Sequence, residues 1–576
     1  MKKSSTKAAI LILLSVNLLV FFLSLQSCDG IKGGGDISKI IKFEFVDPLE
    51  KVLVEASYFP PKEAISEVVR GENATLQFVI RSQYSITDLR VNVSQARDRE
   101  KSLPTAKTGF VGYVKVGRSI WDYSRDRIVS SSGYYPDPVL EQETINVDFG
   151  NTQPIWISIP IPTNAEEGLY KGQVTITGKI GKKSFSISKD YSVKVYPVTV
   201  EKTSLWITNW FSIDTAQLKW MNGGKSFVPF SEQHWEFIRT IAKKMAEYRQ
   251  NVAIISPLAL SEFSYENGNW KTDFTKFDKV VDIFIKEGVI GRIEGGHIGG
   301  REGTWLSQFV VMVPNKEGDP QKRFDNLPIS DPRAHEFYRD FIPALVDHLQ
   351  EKGWGKIYIQ HLADEPIPEN VKSYIEIAKF VRKLAPEFKF IDACHSKDLG
   401  GMLDVWVPQL DYMNTDYEFY NKQHESGKEI WFYTCLNPKF EYVNRFIELP
   451  LLRTRYMHWV NYKYNIPGYL HWGLNYWNEG NPFGEQTGIQ YEGGNILPGG
   501  DSWIIYPKDG KLFSSIRYDA MRDGIVDYEL FRMLEKKNPA MAKDIIDKVI
   551  YTFERYDNNI EAFRMHRRHL MELLSE

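Results

Sequence analysis

Apolar residues change their spacing at Pro197, and that change constrains the fold more than any other feature of the chain. Before it they alternate: Ile155, Ile157 and Ile159 around Trp156 and Ser158, Val174 and Ile176 around Thr175, Val193 and Val195 around Lys194. Period-two runs separated by Gly, Pro, Asn and Asp clusters bury one face each and specify a β-sandwich over residues 40–197. A carbohydrate-binding module or a structural brace would both suit such a domain. The brace is preferred, because no group of polar residues in this stretch converges as a site.

Beyond Pro197, eight apolar, β-branched or aromatic runs are separated mostly by helical patterns. The predicted strands are Ser204–Phe211, Asn251–Pro257, Gly291–His297, Lys356–Leu362, Phe388–Cys394, Leu403–Pro408, Glu429–Cys435 and Gly468–Asn475. Phe237, Ile238, Ile241, Met245 and Tyr248 recur at helical spacing, as do Phe277, Val280, Val281 and Phe284. Asp331-Pro332 supplies an N-cap and a first-turn proline for a third helix, which Pro343 should kink. A fourth carries Val371, Tyr374, Ala378 and Val381 on one face, whereas Leu399-Gly400-Gly401 leaves little room for one after the fifth strand. Strands alternating with crossover helices predict a TIM-like (β/α)₈ catalytic domain over residues 198–537, with a doubly wound sheet as the alternative. Two amphipathic helices over 538–576 should pack on it.

The N-terminus reads as an address. Lys2, Lys3 and Lys7 precede an apolar run from Ala8 to Leu25, the layout of an export signal, with a membrane-spanning anchor as the alternative. Leu25-Gln26-Ser27-Cys28 resembles a bacterial lipobox, so residues 1–28 are expected to be a lipoprotein signal with Cys28 lipidated. Residues 29–39, rich in glycine, form a tether. The expected location is extracytoplasmic, held by the lipid to a membrane in the periplasm or on the outer-membrane surface of a Gram-negative cell.

Composition excludes other classes. Lys+Arg 71 against Asp+Glu 74 leaves no basic footprint for nucleic acid. Cys28, Cys394 and Cys435 are too few for a disulfide framework and too scattered for a zinc cluster. Neither a His-Glu-x-x-His helix nor a Gly-rich dinucleotide turn occurs, so no metal or cofactor is expected.

Barrel enzymes carry their chemistry at the C-terminal ends of the strands. Those ends offer Asn209, Trp210, His297, His361, Asp364, Glu365, His395, Asp411, Tyr412, Asn414, Tyr433, Trp472, Asn475, Tyr476 and Trp477. Carboxylates, amides and indoles around one mouth suit a sugar, whose hydroxyls take hydrogen bonds and whose C–H face stacks on rings. Asp364 and Glu365 are adjacent, so one pKa should rise and leave a proton donor beside a carboxylate. Consecutive residues cannot straddle a glycosidic bond, and the seventh strand carries its one carboxylate, Glu429, at the wrong end. A missing protein nucleophile points to a substrate that supplies its own, as a 2-acetamido group can.

The segment His361-Leu362-Ala363-Asp364-Glu365-Pro366 resembles the catalytic strand of glycoside hydrolase family 123. Residues 469–477, 499–507 and 515–529 carry further likeness, as does the N-terminal sandwich. The resemblance implies a retaining β-N-acetylgalactosaminidase acting on glycan termini, including glycosphingolipid-type chains, through an oxazolinium intermediate. It would make Glu365 the general acid–base and Asp364 the group that holds the acetamido N–H and stabilises its developing charge. Tyr433 or Tyr412 would hold the acetamido oxygen, and Trp472 or Trp477 would be the stacking floor. The acids and arginines of residues 515–529 are expected to be structural ion pairs. Two alternatives stand beside this reading: a two-carboxylate glycosidase pairing Glu365 with Asp411 or Glu479, and a glycan-binding lipoprotein without turnover.

Overall fold

The computed structural model describes residues 40–576 except 118–123, 317–322, 478–480, 487–489 and 492–494. The export segment, the tether, Cys28 and Glu479 lie outside the described residues. Among the described residues no helix is long and apolar enough to cross a membrane.

The first part is all β. One sheet orders Ile41–Val46, Asn73–Ser82, Thr152–Pro160, Lys107–Lys115 and Tyr134–Leu140. The other runs from Ile65–Arg70 through Lys183–Thr199, Gly168–Ile180 and Ile86–Val93 to Ile145–Val147. Ile155, Ile157 and Ile159 of the first sheet meet Val174, Ile176, Val193 and Val195 of the second in one apolar core, so the alternation seen in the sequence is the inward face of each strand. The last long strand continues through Pro197 to Thr199 before the grammar changes.

The second part is built on a curled, barrel-like parallel sheet. Its strands are Trp206–Asn209, Val252–Ile254, Arg292–His297, Tyr358–His361, Lys389–Cys394, Val405–Pro408, the broken pair Glu429–Ile430 and Phe432–Tyr433, and Gly468–His471. Each falls inside a run predicted from sequence. Six of these segments form one ladder and three form another, in which Gly468–His471 pairs with both Trp206–Asn209 and Phe432–Tyr433. The Gln409–Tyr433 bridge and the bond from Asn251 N to Ile207 O (3.3 Å) join the ladders at both edges. The strands are short and buried on both faces, which is why they read as continuous apolar runs.

Helices cover this sheet as their spacing foretold: Glu232–Glu247, Thr275–Lys286, Pro332–Glu351 and Val371–Leu384. Asp331 caps the third by accepting from Arg333 N (2.9 Å), and Pro343 lies within that helix without ending it. No helix follows Lys389–Cys394 before the next strand. Two insertions were not foreseen: the hairpin Glu262–Glu266 with Asn269–Asp273, and the sheet Gly299–Arg301, Phe309–Pro314 and Phe324–Leu327.

The helix Ile516–Lys537 fastens the two parts together, and Pro539–Val549 and Ile560–Ser575 follow it. Arg517 makes paired bonds to Asp137 of the sandwich (2.7 and 2.8 Å), with neither side chain exposed. Asp527 accepts from Arg455 (2.6 Å) and Arg567 (2.7 Å), and Arg567 also reaches Glu72 (2.6 Å). The Trp156 indole donates to Asp519 at 2.7 Å. The charges predicted to be structural are structural.

Candidate active site

The fourth strand, Tyr358–His361, is fully buried, and the chain leaves it as Leu362-Ala363-Asp364-Glu365-Pro366. Both neighbours pin that exit. The Leu362 carbonyl accepts from Ile298 N (3.2 Å) and Gly299 N (2.9 Å), while Glu365 N donates to Ala393 O (3.1 Å). A residue before proline is kept out of the ordinary helical region. Glu365 takes the left-handed one instead, at φ 47°, a conformation disfavoured for any residue but glycine.

Asp364 and Glu365 line a cavity of about 300 Å³ with Trp210, Ala393, Tyr433, Cys435, Leu436, Leu470, Trp472 and Leu497. That volume sits at the small end of ligand pockets, roughly 300–1,000 Å³. The wall is mostly apolar, and among its described residues the two adjacent acids are the sole carboxylates.

The acids differ in their partners. Burial pushes the Asp364 carboxyl up to about 6, and the Glu365 charge adds to this against the opposing His297. Burial would raise Glu365 too, but hydrogen bonds from His395 and Tyr433 and the Arg301 charge outweigh it and hold it low. The Tyr433 hydroxyl donates to Glu365 Oε1, and His395 Nε2 lies 3.2 Å from the same oxygen and 2.6 Å from the Tyr433 oxygen. Burial opposes charge on His395 as well, yet Glu365 raises its pKa overall. The expected split between two neighbouring carboxyls is therefore present, with the proton favouring Asp364 in the empty site.

Behind Asp364 stands a buried array. His297 Nε2 is 3.9 Å from Asp364 Oδ1 and 3.4 Å from Asp392 Oδ1. Asp392 also contacts His361 Nδ1 (2.8 Å) and accepts from Leu362 N (3.0 Å) and the Tyr374 hydroxyl (2.5 Å). His361 Nε2 faces Glu294 Oε1 at 3.6 Å, and Glu294 accepts from Thr208 (2.9 Å) and Trp210 Nε1 (3.1 Å). Burial alone would lower His361, but Asp392 and Glu294 outweigh it and raise the imidazole to about 9, so it is charged at neutral pH. Burial likewise opposes charge on Asp392, and the two histidines more than offset it. His297, His361 and Asp392 are close enough to share a metal ion. A cation there would have to displace the proton that two carboxylates hold on His361, so the set fits a charged hydrogen-bonded array better.

The other predicted residues divide. Trp210 and Trp472 line the cavity. Trp472 is steadied by a bond from its indole to Asp501 (3.2 Å), a carboxyl that burial pushes up to about 7. Tyr412 packs edge-on against His395, with ring centres 4.9 Å apart, and does not line the cavity. His361 acts from behind the wall, being fully buried. Four more leave the lining. Asn209 is bound to Gln250 and Arg445, Asn475 to the Ser212 backbone, and Asn414 to the Tyr442 hydroxyl. Trp477, 1% exposed with its indole on Ile505 O, has no face to offer a sugar, so Trp472 alone of that pair can be the floor. Arg301, Glu294, Asp392 and Asp501 were missed. The signal for two of them was a carboxylate in the middle of a buried strand, in Arg292-Ile293-Glu294-Gly295 and Phe390-Ile391-Asp392-Ala393.

The family model for the glycoside hydrolase 123 catalytic domain matches residues 225–534, and that for the glycoside hydrolase 123 N-terminal domain matches 61–178. The chain belongs to glycoside hydrolase family 123. It is therefore a glycoside hydrolase acting on glycans. The fold is similar to that of a family 123 glycoside hydrolase from Clostridium perfringens, a structure concerned with glycolipid glycan hydrolysis. The TM-score is 0.69 at 17% identity over 93% of this chain and 97% of that one. Fainter likenesses are an Ig-like-domain GH10 xylanase from termite gut (TM-score 0.32, 12% identity, 81% of this chain and 100% of that one) and a Parabacteroides merdae β-glucuronidase (0.29, 10%, 83% and 52%). No curated protein sequence matches the chain.

Proposed function

We propose that this family 123 glycoside hydrolase removes terminal β-N-acetylgalactosamine from glycans or glycosphingolipid-type oligosaccharides, with retention and with the substrate's acetamido group as nucleophile. The observation that carries the reading is the cavity wall: two adjacent carboxyls and, among the described lining residues, no third across from them. A two-carboxylate mechanism needs its partner roughly 5–5.5 Å or 6.5–9.5 Å away on the far side of the bond. Asp411 is taken up by Gln409 (2.7 Å) and does not line the cavity.

Glu365 protonates the leaving oxygen as the acetamido oxygen attacks the anomeric carbon. The C1–O bond breaks, a five-membered oxazolinium ring forms, and its positive charge faces Asp364 as carboxylate. Glu365, now ionised, takes a proton from water as that water reopens the ring at C1. Oε1 of Glu365 already meets Tyr433 and His395, which leaves Oε2 for the transferred proton. In the empty site the proton favours Asp364, so binding must move it: an acetamido N–H donating to Asp364 favours the carboxylate there and the acid on Glu365. Trp472 is the floor, and Tyr433 is committed to the acid, which leaves Tyr412 as the candidate for the acetamido oxygen.

The closing contacts between the ladders support reading the curled sheet as a single (β/α)₈ barrel whose seventh strand is interrupted at Trp431. The domain limits 40–197, 198–537 and 538–576 are proposed with it, the sandwich serving as brace. The Arg517–Asp137 and Arg567–Glu72 bonds support that role, and two well-separated calorimetric unfolding transitions would count against it. Lipidation of Cys28 outside the cytoplasm is proposed from the sequence alone; Cys28→Ser should release the protein from membrane fractions, and retention after signal cleavage refutes it.

The deciding assay compares aryl 2-acetamido and 2-hydroxy β-galactosides. The first should be hydrolysed and the second left essentially intact, with a thiazoline mimic of the cyclised intermediate inhibiting strongly. Equal turnover of both, or covalent trapping of an enzyme carboxylate, rejects the substrate-assisted mechanism.

A further inference from the structure

Trp305 is 42% exposed, yet the loop that presents it is fastened to the catalytic turn. Arg301 lays its guanidinium 3.9 Å from the centre of the indole ring and donates Nη2 to the carbonyl of Glu365 (2.5 Å). Buried Asn370 donates to Ser307 O (3.2 Å) and Trp305 O (3.4 Å), while its own oxygen accepts from Ile367 N (2.9 Å), just past Pro366. A Thr304–Ser307 turn closes the loop, with Ser307 N on Thr304 O at 3.0 Å. An exposed indole on a free loop would cost the ligand ordering entropy; this one is already ordered against the acid.

Its position has a direction. Trp210 and Trp472 line the cavity, whereas Trp305 does not. Its ring centre is 6.1 Å from that of His395, which in turn reaches Glu365. Arg301 covers one face of the indole and strengthens the ring's hold there. With 42% of the residue exposed, apolar ring surface remains open near Glu365 and outside the cavity.

We infer that the outer face of Trp305 is the leaving-group subsite, stacking the C–H face of the hexopyranose to which the terminal sugar is bonded. This rests on the function proposed above, in which Glu365 faces the leaving oxygen. Such a contact lies away from the reacting bond and supplies binding that a simple leaving group forgoes.

The test uses the full chain as wild type, Trp305→Ala and Trp305→Phe. Three measurements are taken: kcat/KM on a β-linked 2-acetamido disaccharide, kcat/KM on the corresponding 2-acetamido glycosyl fluoride, whose leaving group has no ring, and inhibition by the thiazoline. Trp305→Ala should lose roughly tenfold on the disaccharide, mainly through KM, and stay within about twofold on the fluoride and the thiazoline. Trp305→Phe should recover most of the loss. An unchanged disaccharide rate, or a parallel fall with the fluoride, overturns the subsite while leaving the proposed function standing. A wild-type chain that hydrolyses neither 2-acetamido substrate and ignores the thiazoline overturns the function, and the subsite with it.

Discussion

Two regions of this molecule bury charge, and they do so in opposite ways. At the junction of the β-rich part and the barrel-like part, Arg517, Arg455 and Arg567 meet Asp137, Asp527 and Glu72 in bonds of 2.6–2.8 Å. Behind Asp364 the partners are histidines and carboxylates, several 3.4–3.9 Å apart, and Glu294 Oε1, His297 Nε2 and His361 Nε2 lack a hydrogen bond of good geometry. Arginine cannot give up its proton in a protein, so the first network has one charge state and holds shape. Imidazole and carboxyl groups exchange protons near neutral pH, so the second can change state without changing fold. Burial alone does not tell a structural charge from a chemical one; the identity of the cation does.

The largest effect should come from the site. Glu365→Gln should cost about 10²–10⁴-fold on substrates with poor leaving groups and less on activated aryl glycosides, with the melting temperature little altered. Asp364→Asn should slow both classes alike, since in the proposed mechanism charge on the acetamido group develops whatever departs. Leaving-group dependence measured across an aryl series checks both. Next, Arg517→Leu strands Asp137 in a fully buried position and should destabilise the protein by about 3–5 kcal/mol in denaturant titration. If the melting effect of Arg517→Leu were no larger than that of Glu365→Gln, the contrast between the networks would collapse.

A third prediction concerns activity against pH. The productive pair carries one proton, and that proton is lost as Asp364, raised to about 6, ionises. kcat/KM should therefore fall above roughly pH 6, approaching tenfold per pH unit, as a property of the pair. A profile flat to pH 8 contradicts this.

The smallest effects lie in stability against pH. Asp527 is held at about 2 against an ordinary 3.8 because Arg455 and Arg567 outweigh its burial. Its contribution is present above about pH 4 and lost as pH falls through 2. Asp364, raised from 3.8 to about 6, works in the other sense: ionising it in the fold costs stability as pH climbs from about 4 to 6. His361, raised from 6.5 to about 9, contributes fully below pH 6.5 and loses that contribution as pH rises through 9. Asp392→Asn should flatten the alkaline decline in melting temperature, whereas Asp527→Asn should flatten only the acid one.

Much of this was legible in the chain. Strands of the barrel-like sheet, buried on both faces, show as unbroken apolar runs, and helices covering them show one apolar stripe, so each strand falls inside a predicted run and each of the four helices falls where its stripe or cap placed it. The hairpin at 262–273 hides because its short strands carry too few buried positions to set a period, as Glu262–Glu266 illustrates with four of its five residues exposed. Strand-end position correctly brought Trp210, Asp364, Glu365, Tyr433 and Trp472 to one cavity. It misled at Asn475 and Trp477 because the segment around residues 502–506 folds back over them: Asn475 bridges Trp503, and Trp477 bonds Ile505. Register along a strand tells which end a side chain occupies, but not what a distant loop will lay across it.

The backbone at Glu365, with its φ of 47°, carries a consequence for selection. Holding any side chain there costs on the order of 1–2 kcal/mol that glycine would not incur. A library randomised at this position and sorted for heat resistance alone should drift to glycine, while one sorted for turnover should return to glutamate. The two sortings would part company at this residue, and the gap between them measures how much durability the protein forgoes in order to aim one carboxyl.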